Sequence, residues 1–226
     1  FDLPRFQSEF EPLAQELQMK WQIRTLSERP RLAIFVSQHL HCLADILHRH
    51  QSGELQCDIP VIISNHVDGA ALAGFYGVEF RHMPVTGGTK SAAEREQLAI
   101  LDSKRIELIV LARYMQILSP EFVQRYPTRI INVHHSFLPA FIGARPYHAA
   151  FERGVKLIGA TSHYVTAELD DGPIIEQDIV RVSHRDQIPD LIRKGRDIER
   201  TVLSRALGWH LNHRILSYGN KTIIFD

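Results

Sequence analysis

The run Ile106-Glu107-Leu108-Ile109-Val110-Leu111-Ala112 constrains the fold more than any other stretch. Its last five residues are all apolar, so neither face of an extended chain could be left in water. The segment therefore predicts a strand covered on both sides by helices. Leu32-Ala33-Ile34-Phe35-Val36-Ser37 and Ile59-Pro60-Val61-Ile62-Ile63-Ser64 share this character, and Phe80 to Val85 reads as a further strand. Helical patterns separate them at Leu40 to His50, Asp68 to Tyr76 and Lys90 to Lys104. Another helix is predicted to start at Ser119-Pro120-Glu121, where a serine cap precedes a first-turn proline. Strands alternating with helices imply right-handed crossovers and an α/β fold with a doubly wound, mostly parallel sheet. Functional groups are then expected beyond the carboxyl ends of the strands.

The two ends depart from this alternation. Phe6, Phe10, Leu13 and Leu17 place an amphipathic helix over Arg5 to Lys20. Trp21 to Leu26 alternates as a strand, and Ser27 to Arg31 reads as a linker. One helix and one strand cannot bury a core, so residues 1–28 are expected to be the remnant of a small α+β module ahead of a main domain over 31–226. The chain begins with Phe1 rather than Met, which suggests residues upstream. After Lys156, two strands, Leu157 to Val165 and Pro173 to Val182, are expected to pair antiparallel across an acidic turn. A long helix over Arg185 to Asn212 and a last strand over Lys221 to Phe225 complete the chain.

The chemistry concentrates between Arg129 and Pro173. In an extended Ile130-Ile131-Asn132-Val133-His134, residues two apart share a face, so Asn132 and His134 are expected to enter one site, with His135 on the opposite side. Glu168-Leu169-Asp170-Asp171-Gly172-Pro173 then brings carboxylates to a turn. Singly, Asn132 is a strand-end amide and Asp170 a turn former. Together, an amide, an imidazole and a carboxylate can attack a carbonyl-type carbon and hold the charge that develops. The loop Arg113-Tyr114-Met115-Gln116-Ile117-Leu118 leaves the best buried strand and is expected to form the wall of a pocket beside them.

Several classes are excluded or disfavoured. Lys and Arg number 26 and Asp and Glu 26, so no global field draws in nucleic acid or an anionic membrane. No apolar run approaches the roughly eighteen residues of a membrane span. Cys42 and Cys57 lack metal-type spacing, and two thiols suit a reducing cytoplasm. The thirteen histidines show no metal-binding spacing, and no metal is expected. The turn after the first parallel strand, Val36-Ser37-Gln38-His39-Leu40-His41-Cys42, contains no glycine, which argues against a phosphate cradle there.

These segments resemble the formyltetrahydrofolate-dependent formyltransferase family. The resemblance rests on Asn132-Val133-His134, Ser136-Phe137-Leu138-Pro139, Gly159 to Val165 and Leu169 to Ile175, and extends from about Arg31 to Val182. Within that family, Leu111 to Ser119, the double histidine, Phe141 to Tyr147 and the glycine-free turn are similar to the branch that gives the formyl group to water. The resemblance implies hydrolysis of 10-formyltetrahydrofolate to tetrahydrofolate and formate, supplying formate for purine synthesis. It implies Asn132, His134 and Asp170 as the catalytic set. Folate binding falls to Arg113, Tyr114, Met115, Gln116, Ile117, Leu118, Val165, Thr166 and Glu168, with no cofactor. Two alternatives stay open: transfer to a small amine acceptor, and a folate-binding regulator without catalysis. Phe1 to Ser27 is similar to the end of an ACT regulatory module, implying a homo-oligomer and an amino-acid effector.

Overall fold

The structure, a computed structural model, describes residues 1–19, 21, 23, 28–139 and 146–225. Seven strands form one sheet: β1 (Arg31–Val36), β2 (Asp58–Ser64), β3 (Phe80–His82), β4 (Leu108–Leu111), β5 (Ile130–His134), β6 (Leu157–Tyr164) and β7 (Ile174–Arg181). Their order is β3-β2-β1-β4-β5-β6-β7. The first five pair in parallel, and β6 and β7 add antiparallel. The mostly parallel, doubly wound sheet expected from the apolar runs is thus present.

Both faces of the central strands are buried, as their composition requires. Leu32, Ile34 and Val36 pack on one face against α2 (His41–Gln51) and α7 (Ile188–Leu211), with Leu43, Leu47, Leu203 and Leu207 in the same cluster. Ala33 and Phe35 point the other way, into a cluster with Leu101 of α4 (Lys90–Ser103) and Phe122 of α5 (Pro120–Arg125). Sequence order runs outward in opposite directions from β1 and β4. The crevice between their carboxyl ends is the switch point where such sheets bind ligands.

Some boundaries differ from the sequence reading. The helix α1 (Leu3–Glu16) stops four residues short of Lys20, because Gln18 turns to φ 52° and the Met19 amide bonds back to the Ala14 carbonyl. The strand expected over Trp21 to Leu26 lies largely outside the described residues. Two elements were not anticipated: the short α6 (Pro146–Arg153), and β8 (Ile215–Tyr218), which pairs with β9 (Lys221–Ile224) in a separate hairpin. The acidic turn does join an antiparallel pair, with His163 opposite Ile174. Among the described residues, no helix is long and apolar enough to cross a membrane.

Candidate active site

β4 and β5 run side by side with Leu111 opposite Asn132, so the loop leaving β4 opens next to the end of β5. That loop is held from behind. Arg113 takes a left-handed φ of 64°, its carbonyl accepts from the Ser37 amide, and the Met115 amide donates to Ser37 Oγ at 2.9 Å. At its far end the Ser119 amide donates to the buried Glu94 carboxylate at 2.9 Å. On the other side, Thr161 of β6 ties down the chain after β5. Its hydroxyl donates to the Ser136 carbonyl at 2.9 Å and accepts from the Leu138 amide at 3.0 Å. Between these supports lies a cavity of about 340 Å³. Asn132, His134 and Asp170 line it, together with Arg113, Tyr114, Met115, Gln116, Ile117, Leu118, Val165, Thr166 and Glu168.

The three chemically active side chains meet because β6 and β7 fold the acidic turn back over β5. Asp170, at φ 54°, sets its carboxylate 3.2 Å from His134 Nδ1 and 3.6 Å from His163 Nε2. Burial pushes this carboxyl up, but the His134 contact and the nearby His163 ring outweigh it and hold Asp170 well below the usual carboxylate range. It is a carboxylate across the working pH range. With Nδ1 committed to Asp170, His134 leaves Nε2 buried and without a partner among the described residues. A buried, unfilled imidazole nitrogen at a cavity wall is a group waiting for substrate.

The sequence places His163 near the site with His134 and His135 but gives it no role. The register places it opposite Asn132, and it belongs to the site. Its Nδ1 lies 2.9 Å from the Tyr164 carbonyl, which can only accept, so Nδ1 carries a proton. In the neutral ring Nε2 is then an acceptor, and it takes a hydrogen bond from Asn132 Nδ2 at 3.2 Å. This orients the amide and leaves its second N–H free for a substrate oxygen.

The sequence reading of His135 needs correction. β5 ends at His134, and the two rings lie 5.3 Å apart rather than on opposite faces. His135 turns toward Tyr147, whose hydroxyl donates to Glu199 at 2.6 Å. Glu199 also accepts from His41 at 2.7 Å and stands 3.5 Å from Arg113 Nε. Burial raises the Glu199 carboxyl, but the His41 hydrogen bond and the Arg113 charge hold it down at about 2. Tyr147 can approach so closely because residue 195 of α7 is glycine; a Cβ there would lie 2.0 Å from the Tyr147 hydroxyl. Arg113 was assigned to the folate wall, and it does line the cavity, but its guanidinium is turned toward Glu199.

His41, Cys42 and Glu199 offer ligand atoms within 4.8 Å of one another. Both Glu199 oxygens are already hydrogen bonded, and a guanidinium stands beside them, which is a poor donor set for a cation.

Burial, followed by the Arg113 charge, pushes His135 down to about 3. In the unfolded chain the same imidazole binds a proton below about 6.5. The folded state resists that proton, so this contribution to stability is full at neutral pH and is lost as pH falls below 6.5 toward 3. Between pH 7 and 5 the loss is about 2 kcal/mol. Urea unfolding at the two pH values should show it, and His135→Gln should flatten the difference. An equal pH slope in the variant would contradict a neutral buried His135.

Residues 30–207 match the formyl transferase family. Formyltetrahydrofolate deformylase of Synechocystis sp. is 58% identical over 98% of this chain and 78% of its own length. The crystal structure of a formyltetrahydrofolate deformylase from Pseudomonas syringae pv. tomato is 50% identical, with TM-score 0.97 over 100% of this chain and 76% of that one. A glycinamide ribonucleotide transformylase from Symbiobacterium toebii has the same fold at lower similarity, 29% identical with TM-score 0.83 over 92% of this chain and 99% of that one. With its cavity of amide, imidazole and carboxylate at the switch point of the sheet, the chain belongs to the formyl transferase family and, within it, to the formyltetrahydrofolate deformylases.

Proposed function

We propose that the protein hydrolyses 10-formyltetrahydrofolate to tetrahydrofolate and formate. The observation that carries the chemistry is the 3.2 Å contact that couples Asp170 to His134 while leaving His134 Nε2 open. The pteridine occupies the wide part of the cavity, covering the exposed apolar faces of Met115 and Ile117 and meeting backbone groups of residues 113–118 and 165–170. The formyl group then reaches Asn132 and His134.

Water adds to the formyl carbon, and the carbonyl oxygen becomes an alkoxide. The free N–H of Asn132 and the Nε2–H of His134, paired with Asp170, stabilise that charge, each by an amount on the order of 3 kcal/mol. Asp170 orients the water. A carboxylate held so low is a weak base toward water itself, but the attacking water becomes strongly acidic as its bond to carbon forms. Asp170 accepts that proton and passes it to N10 as the C–N bond breaks. One water is consumed, one amine N–H forms, and the formic acid released ionises to formate and a proton. No step draws on a metal or cofactor.

The setting we infer is cytoplasmic, supported by the two free, buried cysteines. A homo-oligomer with an effector-binding ACT module is supported by α1, which leaves Leu13 exposed.

Incubation with 10-formyltetrahydrofolate should release formate and tetrahydrofolate in equal amounts without any amine, at a rate unchanged by glycinamide ribonucleotide. Formylation of the amine in place of formate release would overturn hydrolysis in favour of transfer.

A further inference from the structure

A second cavity, of about 200 Å³, lies behind the residues just described. It shares Arg113 and His135 with the folate cavity. Its other end reaches Ile192 and Arg196 on α7, where a surface groove begins. Arg113 is only 9% exposed, its Nε is 3.5 Å from Glu199, and its Nη1 is buried with no partner among the described residues. Glu199 lines this second cavity and not the folate cavity, so the guanidinium lies on this side. A buried guanidinium with unfilled N–H groups is unfavourable unless an acceptor arrives.

Glu199 does not supply that acceptor: its oxygens are turned to His41 and Tyr147, and at 3.5 Å from Nε it makes an ion pair with Arg113 but no hydrogen bond to Nε or Nη1. Two guanidinium groups, Arg113 and Arg196, line this cavity with the single carboxylate of Glu199, which leaves it positive. The histidines register the same field: His39 and His135 are held low first by burial and then by the Arg113 charge. The reaction makes one small anion per turnover, beside His134. Arg113 and His135 line both cavities, so they stand where the formyl end of one adjoins the other.

We propose that this second cavity is a binding site for a small carboxylate, the formate product, which Arg113 holds and which leaves past Arg196. The identity of the anion rests on the hydrolysis reading. The test is a titration of 13C-formate followed by line broadening, at ionic strength held constant with chloride and with tetrahydrofolate saturating. Saturable broadening is expected, and it should persist in Asp170→Asn. Arg113→Gln should weaken it about ten-fold, as expected for a lost charge-assisted hydrogen bond. Arg196→Glu should weaken it about three-fold or more by reversing a charge at the mouth. Arg196 is exposed, so that variant stands in if Arg113→Gln fails to fold with Glu199 unpaired.

Broadening that is absent, abolished by tetrahydrofolate, or unchanged in Arg196→Glu overturns the proposal. Formate bound in this way by a protein that releases none from 10-formyltetrahydrofolate would sink the hydrolysis reading and leave the anion site standing. Formate release without saturable formate binding would sink the site alone.

Discussion

Asp170→Asn is expected to lower kcat by about 10²–10⁴-fold, the range for removing a positioned acid–base group, while tetrahydrofolate binding changes little. The substitution keeps the size of the side chain and removes its charge. His134 then loses its charged partner at 3.2 Å, and His163 loses its neighbour at 3.6 Å. The attacking water loses the group that takes its proton. Most of the cavity lining comes from other segments, Arg113 to Leu118 and Val165 to Glu168, so binding should survive. Asp170→Asn also costs stability, with a defined sign. Because the folded carboxyl is held below its unfolded value near 3.8, its contribution is present above that pH and lost as pH falls through the folded value. The variant should therefore be less stable than wild type at pH 7 and approach it in strong acid. Turnover within three-fold of wild type, by a formate-release assay alongside fluorescence titration with tetrahydrofolate, would remove Asp170 from the mechanism.

Gly172→Ala is expected to cost about 3 kcal/mol or more, the upper range for overpacking. A Cβ at position 172 would lie 1.7 Å from the Tyr164 carbonyl oxygen, and the obstacle is backbone, with no flexible side chain to give way. The turn would have to lift off β6, breaking the bond from the Tyr164 amide to the Pro173 carbonyl. Asp170 sits two residues earlier and would move with it, so kcat should fall together with stability. For a chain of this size the melting temperature should drop by about 6–12 °C. A variant melting within 2 °C of wild type would show that the turn can relax and that Gly172 is not needed for close approach.

Much of the architecture was legible because burial on both faces leaves an unmistakable mark. The runs at Leu32, Val61 and Leu108 could only be central strands, and short helical segments between them left parallel crossovers as the solution. Asn132 and His134 followed from strand periodicity alone. Element ends were less legible: Gln18 stops α1 through a left-handed conformation that no residue pattern marks. β8 escaped notice because its alternation is half-buried against a single partner strand.

His163 and Glu199 show where local pattern fails. His163 joins the site because β5 and β6 pair with Asn132 opposite it, and register between strands separated by a helix and long loops is settled by packing. Glu199 did carry a signal, an acid on the apolar stripe of α7 between Ile198 and Val202. What the stripe could not say is that His41, Arg113 and Tyr147 converge on it from three other elements. The sequence by itself determined the sheet, the Asn132 and His134 pair on one strand face, and the resemblance to formyl-transferring enzymes, because each depends on spacing within one segment. Tertiary structure alone decided that Asp170 lies over His134, that His163 orients Asn132, and that a second, cationic cavity opens behind Arg113. Each of these is a distance between segments far apart in the chain, and only the packed core fixes such distances.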